Sequence, residues 1–145
     1  MAITKISSRQ EVIAARADFG FADLTTGVAV PAIDLPPGAR VKKVTLRITE
    51  AFNSVTSDAL TVQSSEGTPK TYLVIAAASA SLPLGKVWDA QAAIAGTTSS
   101  NFSFVNPSAS TLNILWATVG GVPTTGKGTL LVEYVVDGRT EFSQG

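Results

Sequence analysis

The chain contains no cysteine and no histidine, and its one methionine is Met1. Without cysteine there is no disulfide framework, no thiol nucleophile and no CxxC metal knuckle. Without histidine the commonest general base and transition-metal ligand is missing. Charge is scarce too: 15% of the residues are charged, and 11 basic against 11 acidic side chains leave a formal net charge of zero. Affinity for nucleic acid comes from Lys and Arg neutralising phosphates, so this balance argues against a nucleic-acid partner. No apolar stretch approaches the ~20 residues of a membrane helix. The start, Met1 to Arg9, lacks the apolar core of a secretory signal. The expectation is a soluble protein made in a cytosol, with no membrane partner.

What is present is β-forming. Valine, isoleucine and threonine make up 40 of the 145 residues, and serine with threonine 31. At this length one domain, 1–145, is expected. A hydrophobic content of 45% is too high for a disordered chain. The charged fraction is low for the surface of an isolated monomer. Two explanations stand side by side: a Ser/Thr-rich β surface, or a surface partly covered by another chain.

Alternation with a period of two marks half-buried strands along most of the chain. Over Glu11 to Phe19, residues Ile13, Ala15, Ala17 and Phe19 share one face. Val44, Leu46 and Ile48, with Phe52 beyond them, form an apolar face opposed by Lys43, Thr45, Arg47 and Thr49. Ala59 to Val62 presents Leu60 and Val62, and Tyr72 to Ala76 is apolar throughout. Asn101 to Val105 places Phe102 and Phe104 together. Leu112 to Thr118 presents Leu112, Ile114 and Trp116, and Thr129 to Asp137 presents Leu130, Val132, Tyr134 and Val136. Turn signals fall at Pro36-Pro37-Gly38, Asn53-Ser54 with Ser57-Asp58, Ser64 to Pro69, Asn106-Pro107-Ser108 and Gly120-Gly121-Val122-Pro123. Short strands at this spacing predict an all-β fold, an antiparallel sandwich or barrel. The one helical candidate is Val87 to Ala95, a short helix or a loop. Ala2 to Gln10 has no clear period and reads as an N-terminal arm, 1–10.

Few motifs point to chemistry. Gly121 to Lys127 matches the first seven positions of a phosphate-binding loop, G-x-x-x-x-G-K. The next position is Gly128, where a magnesium-holding Ser or Thr belongs, and Thr129 to Val136 reads as a strand instead of the helix such a loop needs. A hairpin loop is expected there. Carboxylates are the remaining acid–base groups: Glu133 and Asp137 share a strand face, and Asp18, Asp23 and Asp34 lie close in sequence. Nothing fixes the paired spacing of a glycosidase. Asp18 with Asp23, or Ser57-Asp58, could contribute to a calcium site, but no run matches an oxygen-ligand loop. A serine nucleophile would lack a histidine base. Arg40, Lys42, Lys43, Arg47 and Lys70 read as solvated strand positions, and Asn101-Phe102-Ser103 as a chance glycosylation match. Phe102, Phe104, Trp116 and Tyr134 are expected in the core. Trp88, if exposed, is a candidate partner-binding anchor. No catalytic residue, cofactor, metal or small-molecule substrate follows from these patterns.

Three stretches resemble a known family. Ala22-Asp23-Leu24-Thr25-Thr26-Gly27-Val28-Ala29-Val30 leads to Ala32-Ile33-Asp34-Leu35-Pro36-Pro37-Gly38-Ala39. Thr49-Glu50-Ala51-Phe52-Asn53-Ser54 continues to Thr56-Ser57-Asp58. Val132 to Gly145 closes the chain. Together they resemble the capsid decoration, or cement, proteins of tailed double-stranded DNA phages, least so from Ser64 to Thr111. The resemblance implies a jelly-roll-like β-sandwich on the outer surface of the virion head. It implies a homotrimer that contacts the major capsid protein and bridges capsomers, with no catalytic residues. The competing expectation is a glycan- or receptor-binding β-sandwich of a phage fibre or adhesin, which needs an exposed aromatic platform.

Overall fold

A computed structural model describes residues 12–53, 56–76, 82–91, 102 and 105–136. The segment 1–10, read above as an arm, lies outside the described residues, as do Glu11, Asn101, Ser103, Phe104 and Asp137. Among the described residues there are eight strands: β1 (Ile13–Gly20), β2 (Ala29–Leu35), β3 (Ala39–Glu50), β4 (Ser57–Ser64), β5 (Thr71–Ala76), β6 (Val87–Gln91), β7 (Ser110–Val119) and β8 (Lys127–Val136). A 3-10 turn, Phe21–Asp23, follows β1. No helix among the described residues is long and apolar enough to cross a membrane.

The strands form two four-stranded sheets, β1-β8-β3-β6 and β2-β7-β4-β5. Every pairing is antiparallel. Strand β1 pairs with β8, β2 with β7, β3 with β6 and β4 with β5, a nested order that a long folded-over hairpin produces. Contacts β3–β8 and β4–β7 join these pairs into sheets. This is the strand order of a jelly roll. We refer to the two layers as the β3/β8 sheet and the β4/β7 sheet.

The core lies between them. Val44, Leu46 and Ile48 of β3 and Leu130 and Val132 of β8 are fully buried, facing Leu60 and Val62 of β4 and Leu112, Ile114 and Trp116 of β7. Each such side chain contributes on the order of 1.5–3 kcal/mol by leaving water. A register shift between Val41 and Lys43 lets β3 begin a second inward row, so Ala39 and Val41 are buried as well. Loop residues Phe52 and Leu82 close the ends, and the Phe52 ring packs tilted on Trp116 at 6.3 Å between centroids. Entry into β3 is set by a tight turn. The Ala39 N–H donates to the Pro36 carbonyl at 3.2 Å, and Gly38 has φ 82. Pro before a glycine of positive φ is the type II arrangement.

Two expectations are corrected here, the helix or loop from Val87 and the hairpin before β8. Val87–Gln91 is a strand, not a helix or loop: it pairs with Arg47 to Lys43 along the edge of β3. The alanine-rich remainder, 92–95, lies outside the described residues. Strand β2 carries no clean alternation because Pro31 interrupts it. Proline is tolerated there because β2 is an edge strand with a register shift between Pro31 and Ile33. The apolar run Tyr72 to Ala76 is an edge strand too, with Val74 61% exposed. Phe102 is buried and stacks edge-on against Tyr72 at 5.2 Å. The strand expected around it falls largely outside the described residues. The loop between β7 and β8 is no hairpin, since those strands belong to different sheets.

Candidate functional site

The phosphate-loop match is occupied by structural work. Asn53 Oδ1 accepts the backbone N–H of Thr124 at 2.8 Å and of Thr125 at 3.0 Å, and Asn53 Nδ2 donates to Thr124 Oγ1 at 2.9 Å. Amides that could face a phosphate are thus turned onto a side chain. Gly126 has φ 145, and a Cβ there would lie 2.5 Å from the Phe52 ring. The glycine is required by the core. Lys127 pairs with Glu50 at 3.2 Å, and β8 follows where a helix would be needed.

The acidic candidates do not converge. Asp34 lies on β2, in the sheet opposite Asp18. Glu133 sits mid-strand on β8, paired across to Lys43. Asp58, placed in a loop by its sequence, lies in β4 and turns into the core. It is 1% exposed and accepts the Trp116 indole N–H at 3.0 Å. Among the described residues no group of three or more metal-ligating side chains gathers.

Asp18 and Asp23 do share an open cleft of about 620 Å³ at the end of β1, beside Arg16, Phe21 and Lys127. Its charged groups are already engaged. Arg16 donates to both Asp18 oxygens at 3.0 and 3.1 Å, Thr129 Oγ1 donates to Asp18 at 2.7 Å, and Asp23 accepts the Gly20 N–H at 2.8 Å. The Thr129 hydroxyl and then the Arg16 guanidinium hold the Asp18 carboxyl below its usual 3.8. A glycosidase acid needs the opposite shift.

Trp88 is placed on β6 opposite Leu46, half-buried against the core, with Lys86 Nζ 5.9 Å from its ring centre. Phe19, Phe52, Tyr72, Phe102, Trp116 and Tyr134 are all buried. Among the described residues no cluster of exposed rings forms a platform.

The outer faces of the two sheets differ most. The β3/β8 sheet carries ten charged residues: Arg16 and Asp18 on β1; Arg40, Lys42, Lys43, Arg47 and Glu50 on β3; Asp89 on β6; Lys127 and Glu133 on β8. Rows such as Arg16, Leu131, Thr45 and Asp89 run straight across it, and Thr45 Oγ1 donates to Asp89 at 2.7 Å. The β4/β7 sheet carries two, the buried Asp58 and the edge residue Asp34. Its outward rows are Val74, Thr61, Leu115 and Ala29, then Ala59 and Ala117 on one side and the polar Gln63 and Asn113 with Pro31 on the other. Reading each motif for chemistry misses this face. Only one of its four strands, β7, falls within the 37 uncharged positions from Ala90 to Gly126, so no single stretch of sequence marks the face.

No family model matches the chain, and no curated protein matches it. Solved structures do. The chain is similar to one in the acidic stable capsid structure of Helicobacter pylori bacteriophage KHP30, at 18% identity and a TM-score of 0.54. That match covers 90% of this chain and 92% of the other. It is also similar to a chain in the capsid of Ralstonia phage GP4, at 16% identity and a TM-score of 0.51, covering 93% and 91%. At these identities the likeness establishes the shared β-sandwich fold.

Proposed function

We propose that the chain is a structural component of a phage virion, a decoration protein that binds the outer surface of the head and bridges its capsomers. The observation that carries this is end-to-end likeness to chains of two phage capsid structures, over nine-tenths of both partners each time. The decoration role, the trimeric state and the major capsid protein as partner come from the sequence resemblance at Ala22 to Ala39, Thr49 to Asp58 and Val132 to Gly145. On this reading the protein works by contact and not by catalysis. Trp88, half-buried at the β6 edge, is proposed as one contact residue.

The mechanism is linkage. A subunit that binds the assembled, expanded lattice and not its dispersed parts stabilises that lattice by mass action. Many modest bridges then share the outward load of packed DNA. The glycan-binding alternative is disfavoured because its aromatic platform is not found among the described residues.

The test uses expanded heads that lack the protein. Adding the purified chain should give saturable binding and raise the temperature at which heads rupture. Heads that neither bind it nor change their rupture temperature would overturn the proposal, and capture on a glycan array in their place would favour the alternative.

A further inference from the structure

Charge divides ten to two between the sheets, and the two are not equivalent: Asp58 is buried and Asp34 sits on the edge strand. The outward face of the β4/β7 sheet therefore carries one charge, Asp34 on its β2 edge. We propose that this face is where copies of the chain meet one another. The inference deepens the reading above and rests on it for the biological role of the assembly.

The occupant follows from symmetry and charge. Around a rotation axis each residue near the axis approaches its own copies. Any charge there faces a like charge, which costs several kcal/mol unless the pair is screened or offset. A face whose single charge, Asp34, lies at its edge meets that condition wherever the axis passes through the central strands. A contact with a different protein carries no such restriction and is normally steered by complementary charge, which this face does not offer. The β3/β8 face has the reverse character. Its Arg16, Asp18, Thr129, Thr45 and Asp89 already satisfy one another, so burying it would exchange solvated pairs for desolvated ones.

Side-chain size agrees. Ala29, Ala59 and Ala117 keep the face low, while Val74 and Leu115 give it apolar area. Four strands of about eight residues, ~4.8 Å apart and ~3.3 Å per residue, present roughly 500 Å² per copy. Two copies in contact over the whole sheet, the β2 edge with Asp34 included, then bury about 1,000 Å², the threshold for a specific interface. Val119, 57% exposed at the end of β7, extends the apolar surface to the end of that strand.

Sedimentation equilibrium on the intact protein tests this, with Thr61→Arg and Val74→Arg on the proposed face and Leu131→Lys on the other. All three positions point outward, and matching far-UV CD and melting curves show which variants fold; V74R serves should T61R fail to. The wild type should be multimeric, L131K should match it, and T61R or V74R should weaken association at least tenfold. A wild type that is a single chain at about 100 μM overturns the inference. So does a folded T61R and V74R pair that assembles as well as the wild type, or dissociation by L131K alone. Head binding is scored separately. If it fails while self-association behaves as expected, the decoration reading falls and this face assignment stands.

Discussion

Asp58 illustrates how a single residue changes meaning once its neighbours are known. In sequence it follows Ser57 in a polar stretch and reads as part of a turn, or as one ligand of a cation site. Extending the β4 alternation two positions earlier puts it in the same inward row as Leu60, Val62 and Ser64, and there it is 1% exposed. A carboxylate in that position is tolerated because the Trp116 indole N–H, on a ring that is itself 1% exposed, donates to it at 3.0 Å. Buried polar groups are kept in pairs because an orphaned one costs its full desolvation. Asp58→Ala should therefore lose about 1–3 kcal/mol, the cost of an unsatisfied buried donor. That lowers Tm by about 2–4 °C per kcal/mol in a chain of this size. Asp58→Asn, which keeps an acceptor, should lose less. Thermal melts followed by tryptophan fluorescence decide it, and an Asp58→Ala protein melting with the wild type would refute the pairing.

Elements with an uninterrupted period of two were legible, and those with a fault were not. Val44, Leu46 and Ile48 announce β3, and Leu130, Val132 and Tyr134 announce β8, because half-burial leaves alternation in the sequence. Strand β2 was hidden by Pro31 and its register shift, and the first turn of β3 by the shift between Val41 and Lys43. Strand β6 was obscured by the alanines that follow it, whereas its pairing with β3 comes from residues forty positions away. The Gly121 to Lys127 loop was legible as a loop but not as a crossing between sheets, because the Asn53 latch lies seventy-one residues upstream of Thr124. That latch is testable. Asn53→Ala releases two amides into a solvent-exposed loop, at a cost of about 0.5–1.5 kcal/mol. Hydrogen exchange at Thr124 and Thr125 should quicken at least tenfold while β3 and β8 amides stay protected. Unchanged exchange at the two threonines would show that the loop is held by something else.

On the scale of the whole molecule, the missing charge turns out to be unevenly missing. A charged fraction of 15% left two readings open, a plain Ser/Thr surface or a covered one. The fold gathers ten charged residues on one sheet and leaves the outward centre of the other with none. No single strand displays this, because the neutral face is assembled from β2, β4, β5 and β7, which are spread over 91 residues from Ala29 to Val119. The division also fixes how assembly should respond to salt. Charged contacts between exposed groups weaken as the Debye length falls from about 10 Å at 0.1 M to about 3 Å at 1 M. Apolar contact is not screened in this way. If copies meet through the β4/β7 face, their dissociation constant should change by less than about threefold between 0.05 and 0.5 M NaCl, because only Asp34 at its edge is available to be screened. If they met through Arg16, Lys43, Arg47 and their acidic neighbours, association would weaken steeply over the same range. Sedimentation equilibrium across a salt series distinguishes the two, and a tenfold loss of affinity at the high-salt end would move the contact to the charged sheet.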